Sequence, residues 1–381
     1  MTLGAALALS LGCDVPQTLG AWPDAARDAP DAARLDAPEL VRTYAAVTVG
    51  SLRSCALSEG RAFCWGDPAD GALGPGASGA VVRPRAVVGV SDATAVGLGD
   101  RHACALAAGR VVCWGDGAMG QLGEGRAGSM EPVEVTGTTG ADALAVGRLA
   151  ACARVAGRWR CWGSLPGPDG ASAALPRFEG AAAVGVGFGH ACAGWREAGG
   201  LRVRCVGDNY EGQLGDAVTT SRTGEVDFLD ERGAPVVDAQ ALAVGTAGTC
   251  VTRGDRRAVF CRGEIARGAR GGASWALPEP VADVAVGVGY VCAVTAAGAV
   301  WCWGNGTAGQ LGDGARGVSD APVRAAMEAG VAFAEVRAGA GHTCARSRDG
   351  QELWCWGANR GGQLGAGHTD VVEGVARVLP P

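Results

Sequence analysis

From residue 45 onward the apolar positions fall in short alternating runs, each broken by a glycine-rich turn. Residues 101–115, RHACALAAGRVVCWG, show the unit. Alternation with a period of two predicts strands. Cys104 and Leu106 fall on one face of the first run, Ala103 and Ala105 on the other. Both faces are apolar or small, as in a strand covered on both sides. Ala108-Gly109 stands between this run and Val111-Val112-Cys113 as a two-residue hairpin turn. With that turn Leu106 faces Val111, and Cys104 faces Cys113 across an antiparallel pair. Facing Cα atoms lie ~4.5–5.5 Å apart, within disulfide reach.

The unit recurs. Its cysteine pairs are Cys55/Cys64, Cys104/Cys113, Cys152/Cys161, Cys192/Cys205, Cys250/Cys261, Cys292/Cys302 and Cys344/Cys355. Successive first cysteines are 40 to 58 residues apart, a period that belongs to propellers and solenoids. The sixth pair is one residue wider, and Ala296-Ala297-Gly298 reads as a three-residue loop with a left-handed glycine. In the seventh, Asp349-Gly350 gives a two-residue turn signal. Seven sheets in a radial array cover every strand face and leave no long free edge. The expectation is an all-β, seven-bladed β-propeller with an intrablade disulfide per blade. Its repeats run approximately over 45–93, 94–141, 142–181, 182–239, 240–281, 282–332 and 333–381.

Two further strings travel with the pairs. An AVGxG string precedes them, as in AVGLGDRHAC and AVGVGYVC. A loop ending in Gln-Leu-Gly follows them, as in WGDGAMGQLG (114–123), VGDNYEGQLG (206–215), WGNGTAGQLG (303–312) and WGANRGGQLG (356–365). Residues 65–74 keep only the spacing, and the third and fifth copies lose it. Together these strings resemble the repeats of the regulator of chromosome condensation family over about residues 45–381, in a cysteine-paired variant found in exported bacterial members. The resemblance implies a seven-bladed propeller and protein binding through the loops of one rim. The founding member exchanges nucleotide on a small nuclear GTPase, and a secreted member inhibits β-lactamases; no residue of either activity maps onto this chain. The resemblance also implies ring closure by mixed terminal strands. Val375–Leu379 is therefore expected to complete the blade begun at Ala45–Gly50.

Composition narrows the function classes. All 33 basic residues are arginine, which excludes Schiff-base and P-loop lysine chemistry. With a net charge of -6 and no basic tract, no nucleic-acid partner is expected. Fifteen cysteines point to an oxidising compartment. The unpaired one, Cys13, closes an apolar run, Leu3 to Leu11, of signal-peptide size. Leu-Ser-Leu-Gly-Cys resembles a bacterial lipobox, with Ser10 where leucine is usual and no basic residue before the run. Residues 1–13 are read as a signal peptide with Cys13 as lipidation site. Residues 14–44, rich in Asp, Ala and Pro, are read as a tether. The protein is expected to be exported: an inner- or outer-membrane lipoprotein, or periplasmic or extracellular.

Chemistry-bearing residues are sparse. A zinc site at the cysteine pairs would need C-x₂₋₄-C spacing, and a redox site C-x-x-C; neither occurs. His102, His190 and His342 share one repeat position and read as structural; His368 stands alone in a loop. Asp67, Asp116, Asp208 and Asn305 share the place after Trp-Gly or Val-Gly. They read as turn formers, with a Ca²⁺ site as the sharper alternative. No catalytic, cofactor or metal residue is expected. The longest unit holds Phe228 among Asp227, Asp230 and Glu231, near Tyr210. That set is the candidate partner-binding patch, an aromatic anchor rimmed by acids; the competing reading is a longer connection with Phe228 packed down. The sequence-level expectation is a monomeric, non-catalytic protein-binding propeller displayed at the cell envelope. The alternatives are a secreted inhibitor of an envelope enzyme, or a propeller lyase, hydrolase or carbohydrate binder.

Overall fold

The computed structural model describes residues 43–123, 125–165, 178–265 and 272–381. Cys13 and nearly all of the 14–44 tether lie outside these residues. The described strands are antiparallel and consecutive. Blade 2 shows the plan. Its strands Ala93–Leu98, His102–Ala107, Arg110–Asp116 and Gly128–Glu134 run in chain order from the molecular axis outward. The seven blades span 46–86, 93–134, 141–163, 183–227, 239–276, 281–324 and 333–377. Blade 3 has three described strands, with Glu179 bridging back to Arg158. Blades 4 and 5 touch edge to edge through Leu201 and Ala239, which merges them into one sheet.

The hairpin register follows from turn chemistry. Ala108 and Gly109 both have positive φ, 49° and 71°, as a type I′ turn demands. Leu106 pairs with Val111 and Cys104 with Cys113. All seven cysteine pairs are disulfides within one blade. They are Cys55–Cys64, Cys104–Cys113, Cys152–Cys161 and Cys192–Cys205 in blades 1 to 4. Cys250–Cys261, Cys292–Cys302 and Cys344–Cys355 follow in blades 5 to 7. In every blade the two cysteines are direct cross-strand partners, although their separation in sequence varies from 9 residues in blade 1 to 13 in blade 4.

The bridges depart from expectation in two details. Their Cα atoms are closer than a generic facing pair, 4.1 Å apart in blade 1 and 4.0 Å in blades 3 and 4. The turn explains this. Ala107 and Arg110 close the hairpin, and hydrogen-bonded and non-hydrogen-bonded pairs alternate from there, which puts Cys104 and Cys113 at a narrow non-hydrogen-bonded site. Burial also differs in one place. Cys205, Cys261 and Cys302 are fully buried like their partners, whereas Cys161 is only half-buried.

The longer hairpin loops divide. Gly298 takes the left-handed place of the three-residue loop, at φ 91°. The seventh hairpin is wider than its turn signal. Ser347 N–H donates to Glu352 O, and the tip extends over residues 348–351. There Asp349 Oδ1 accepts from Gln351 N–H instead of entering a left-handed turn.

The apolar residues form seven clusters, and each cluster is one seam between neighbouring blades. Cys55, Leu57 and Cys64 of blade 1 pack on Ala103 and Ala105 of blade 2. Cys104, Leu106 and Cys113 pack in turn on Ala151 and Ala153 of blade 3. The disulfide thus fills the face turned to the next blade, and in these two seams alanines receive it. Cys344 and Cys355 of blade 7 meet Val47, Ala56 and Trp65 of blade 1, which closes the ring.

That closure corrects the expected exchange of terminal strands. Val375–Arg377 pairs with Trp354–Trp356 and completes blade 7. Ala46–Val49 pairs with Ser54–Leu57 as the innermost strand of blade 1. The physical reason is phase. The first repeat already begins with its own inner strand, so no vacancy is left for a late one. Tyr44 N–H donating to Gly350 O (2.7 Å) and Trp65 Nε1 donating to Gln363 O (2.9 Å) join the ends.

Near the axis the second glycine of AVGxG is required by contact. A Cβ at Gly339 would lie 2.3 Å from Gly50 O, and one at Gly99 2.3 Å from the His102 ring. The inner loops are thus packed backbone to backbone around the ring.

Candidate functional site

The two ends of the propeller differ in what they present. One end carries the hairpin tips and the connections between blades. The other carries the AVGxG loops near the axis and the Gln-Leu-Gly loops outside them, stitched together in each blade. Asp116 N–H donates to Arg101 O in blade 2, Asp208 N–H to Gly189 O in blade 4, and Asn305 N–H to Gly289 O in blade 6.

The repeated side chains of this end point inward. Trp65, Trp114, Trp303 and Trp356 are fully buried, as are Leu122 and Leu214 of the Gln-Leu-Gly loops. The glutamine carbonyl accepts the indole N–H of the next blade: Trp162 to Gln121 (3.0 Å), Trp356 to Gln310 (2.8 Å) and Trp65 to Gln363. The glutamine side chain folds back on its own loop, Gln310 Oε1 accepting from Ala308 N–H. The motif therefore docks one blade on the next, and little of it remains for a partner.

Asp67, Asp116, Asp208 and Asn305 each accept the N–H two residues on, at 2.8–3.2 Å. These are Asx turns, and they display the residue that follows. That position holds Ala69, Ala118, Tyr210 and Thr307; in blade 7, where Ala358 replaces the Asx residue, it holds Arg360, and all five are exposed. Tyr210 is 61% exposed and Met119, beside Ala118, 53%. Inside this ring of tips the AVGxG loops surround a cavity of ≈ 290 Å³ at the axis. On its rim Arg148 bonds Asp100 through Nε, and its guanidinium lies 4.4 Å over the Phe188 ring.

The patch expected around Phe228 does not form. Phe228 is 0% exposed and packs edge-on against Phe260 at 5.9 Å, in the seam between blades 4 and 5. Its N–H donates to Val203 O, which pulls residue 228 down onto blade 4. The rimming acids are occupied as well. Asp227 accepts from Arg202 (2.8 Å) and Arg204 (3.2 Å), and the Arg202 bond holds its carboxyl below the usual range. Asp230 accepts from Ala234 N–H and Arg232 N–H, which lower its pKa, and lies 3.4 Å from Arg253. Glu231 reaches Arg253 at 3.7 Å. The correction has a packing reason. Blade 5 carries Arg262 where five other blades have tryptophan, and Arg262 Nη2 donates to Asp230 O, so the long connection covers the seam that an indole fills elsewhere. Tyr210 remains exposed, apart from Phe228.

The three shared-position histidines are fully buried. His190 Nε2 meets Thr249 Oγ1 of blade 5 at 3.1 Å, and His342 Nε2 meets Ser54 Oγ of blade 1 at 2.9 Å. Tyr290 occupies the same place in blade 6 and accepts from Thr343 Oγ1 of blade 7 at 3.0 Å. His102 faces Ala151, which has no hydroxyl, and neither of its ring nitrogens has a partner among the described residues. Burial pushes His102 and His342 down to about 4 and His190 to about 3; Asp100 and Asp116 pull His102 partly back. His368 is surface-exposed, 3.9 Å from Asp370.

One group escaped the sequence reading. Asp283, Glu335 and Arg337 line a second axial cavity, of ≈ 460 Å³. The signal was available as a break in the repeat, since blades 2 and 3 carry Ala or Gly at these places (Ala95, Gly97, Ala143, Ala145) and no earlier blade carries a charge there.

Fold and site define a disulfide-stapled β-propeller whose repeat-constant residues are spent on blade docking. Residues 297–346 and 333–363 match models of the regulator of chromosome condensation (RCC1) repeat, so the chain carries repeats of that kind in its last blades. Among curated proteins it is 36% identical over 92 residues to the human E3 ubiquitin-protein ligase HERC2, covering 24% of this chain and 2% of that protein. It is 33% identical over 92 residues to the Arabidopsis thaliana ultraviolet-B receptor UVR8, covering 24% and 21%. The chain thus spans only a small part of these relatives. Among solved structures it superposes on Saccharomyces cerevisiae Prp20p, described with its binding to Gsp1p and histones. The TM-score is 0.69 at 18% identity over 89% of this chain and 88% of that one. The ectodomain of the Arabidopsis thaliana receptor kinase ACR4 superposes with TM-score 0.52 at 18% identity, over 83% and 96%.

Proposed function

We propose that this protein is a non-catalytic binding propeller of an oxidising, exported compartment. It engages a partner protein with the end that carries the Gln-Leu-Gly loops. The observation that carries the reading is the division of labour within the repeat. Residues constant from blade to blade face inward, while the exposed residue after the Asx turns changes, Ala69, Ala118, Tyr210 and Thr307, and blade 7 presents Arg360 at the same place after Ala358. A rigid ring that presents different side chains from equivalent tips suits recognition of a protein surface, with Tyr210 and Arg360 of the residue types that dominate binding energy. Prp20p, similar in fold, is described as binding proteins. The seven disulfides support an oxidising compartment, and Cys13 serves as the lipid anchor that holds the propeller at the envelope.

The test is affinity capture from an envelope extract with three forms of the protein. The wild type is expected to enrich one partner. The triple variant Tyr210→Ala, Thr307→Ala, Arg360→Ala is expected to lose it. Val88→Ser with Val237→Ser, on the opposite end, is expected to keep it. Loss through the Val88 and Val237 changes alone would overturn the assignment of the face.

A further inference from the structure

The second axial cavity is built on the inner strands, and its wall is uneven. Three consecutive blades give it a polar arc. Asp283 comes from blade 6, Glu335 and Arg337 from blade 7, and Thr48 from blade 1. The rest of the wall is largely apolar, with Ala95, Gly97, Leu144, Leu242 and Ala243 among its residues. In a repeat protein the scaffold residues recur, so charges at places that are otherwise small and uncharged (Ala, Gly, or Thr48 in blade 1) need a reason of their own.

The arc is neutral and pre-arranged. Arg337 Nη1 donates to Asp283 Oδ2 at 2.8 Å, and its Nη2 lies 2.7 Å from Glu335 Oε1. Glu335 Oε2 accepts from Arg346 Nε at 2.9 Å. Val336 N–H also donates to Asp283 Oδ2. Two acids and two arginines thus balance. Among the described residues no hydrogen bond engages Asp283 Oδ1, Arg337 Nε or Thr48 Oγ1. Three residues with unused hydrogen-bonding capacity, Asp283, Arg337 and Thr48, therefore line a cavity of ≈ 460 Å³, within the ~300–1,000 Å³ range of small-molecule sites.

We propose that this cavity binds a small neutral polyhydroxylated ligand, of the size of a monosaccharide. Balanced charge gives no net attraction to a cation or an anion. Mixed donors and acceptors match vicinal hydroxyls, which donate to a carboxylate and accept from a guanidinium. The methyl-lined wall matches the C–H face of a pyranose ring. The site adjoins the axial cavity of the protein-binding end, sharing Val49, Leu98 and Val146 with it, but uses none of the exposed tip residues.

The test is ligand-observed NMR and calorimetry on the full chain, with D-glucose, D-galactose, N-acetylglucosamine and glycerol as probes. Acetate and ethylammonium serve as ionic controls. Saturable binding of at least one sugar is expected, with a dissociation constant of about 1 mM or tighter. Asp283→Asn and Thr48→Val, which conserve volume, are each expected to weaken it about ten-fold or more while circular dichroism stays unchanged. Tyr210→Ala is expected to leave it intact. No saturable sugar binding, equal binding by the two cavity variants, or preference for an ionic probe would each overturn the proposal. Should Asp283→Asn fail to fold, Thr48→Val decides alone, because Thr48 lies outside the ion-pair network.

Discussion

At the scale of single residues the informative comparison is between blades. His190, Tyr290 and His342 each find a hydroxyl on the next blade, and His102 finds Ala151 instead. A buried polar group without a partner costs about 1–3 kcal/mol. Ala151→Ser restores the hydroxyl that Ser54 supplies at the equivalent place. It is expected to raise the thermal midpoint, by about 1 kcal/mol in unfolding free energy. A drop in midpoint, as from overpacking, would sink the idea; His102→Phe serves as the companion variant that removes the orphan altogether. Phe228 teaches the opposite lesson about residue-level reading. Acids on either side gave it the look of an exposed anchor, yet those acids bind Arg202, Arg204 and Arg253 while the ring turns into the seam. Charge in sequence marks a surface without fixing which neighbour lies on it.

At the scale of the element the unit is the stapled hairpin. Turn residues, alternation and cysteine spacing all agree on it, which is why the hairpins are legible in the sequence. Ala108-Gly109 is sufficient to place Cys104 opposite Cys113. Closing about ten residues contributes roughly 2.5–3 kcal/mol by restricting the unfolded chain. Replacing both Cys104 and Cys113 with alanine is expected to lose about that much, plus a share from the emptied seam against Ala151 and Ala153. Urea unfolding with and without the bond measures it. A loss well under 1 kcal/mol would mean that the hairpin is held by packing and turn geometry alone. The seventh hairpin tip and the last strand were less legible. Asp349 had a competing local bond to Gln351 N–H, and strand partnership beyond a hairpin depends on where the ring starts.

At the scale of the whole molecule stability is spread over seven seams, and histidines sit in three of them. Burial keeps His102, His190 and His342 neutral, with folded-state values of about 4, 3 and 4 against an ordinary value near 6.5. Below about pH 6.5 the unfolded chain takes up protons that the folded ring refuses, so stability is full above that pH. It falls as the solution is acidified toward pH 4. With three such groups the slope near pH 5 reaches up to about 4 kcal/mol per pH unit. Urea titrations at pH 7, 6 and 5 are expected to show the decline, and His190→Phe to reduce its slope by about a third. A midpoint flat between pH 7 and 5 would contradict the burial of these rings.

The repeat, the all-β class, the pairing of fourteen cysteines and the Asx turns were all written in the chain, because each rests on contacts between residues close in sequence. Blade count followed from counting copies. What the repeated residues are for emerged only in three dimensions. A glutamine carbonyl that receives the next blade's indole, a glycine pressed on a neighbouring carbonyl and a histidine seeking a hydroxyl are contacts across roughly one repeat or more. The same holds for Asp283 and Arg337, which are 54 residues apart and meet only when the ring brings blades 6 and 7 together. Local periodicity sets the blades; the closure of seven of them into a ring, with an inside, a seam and two unlike ends, sets which side chains remain available to act.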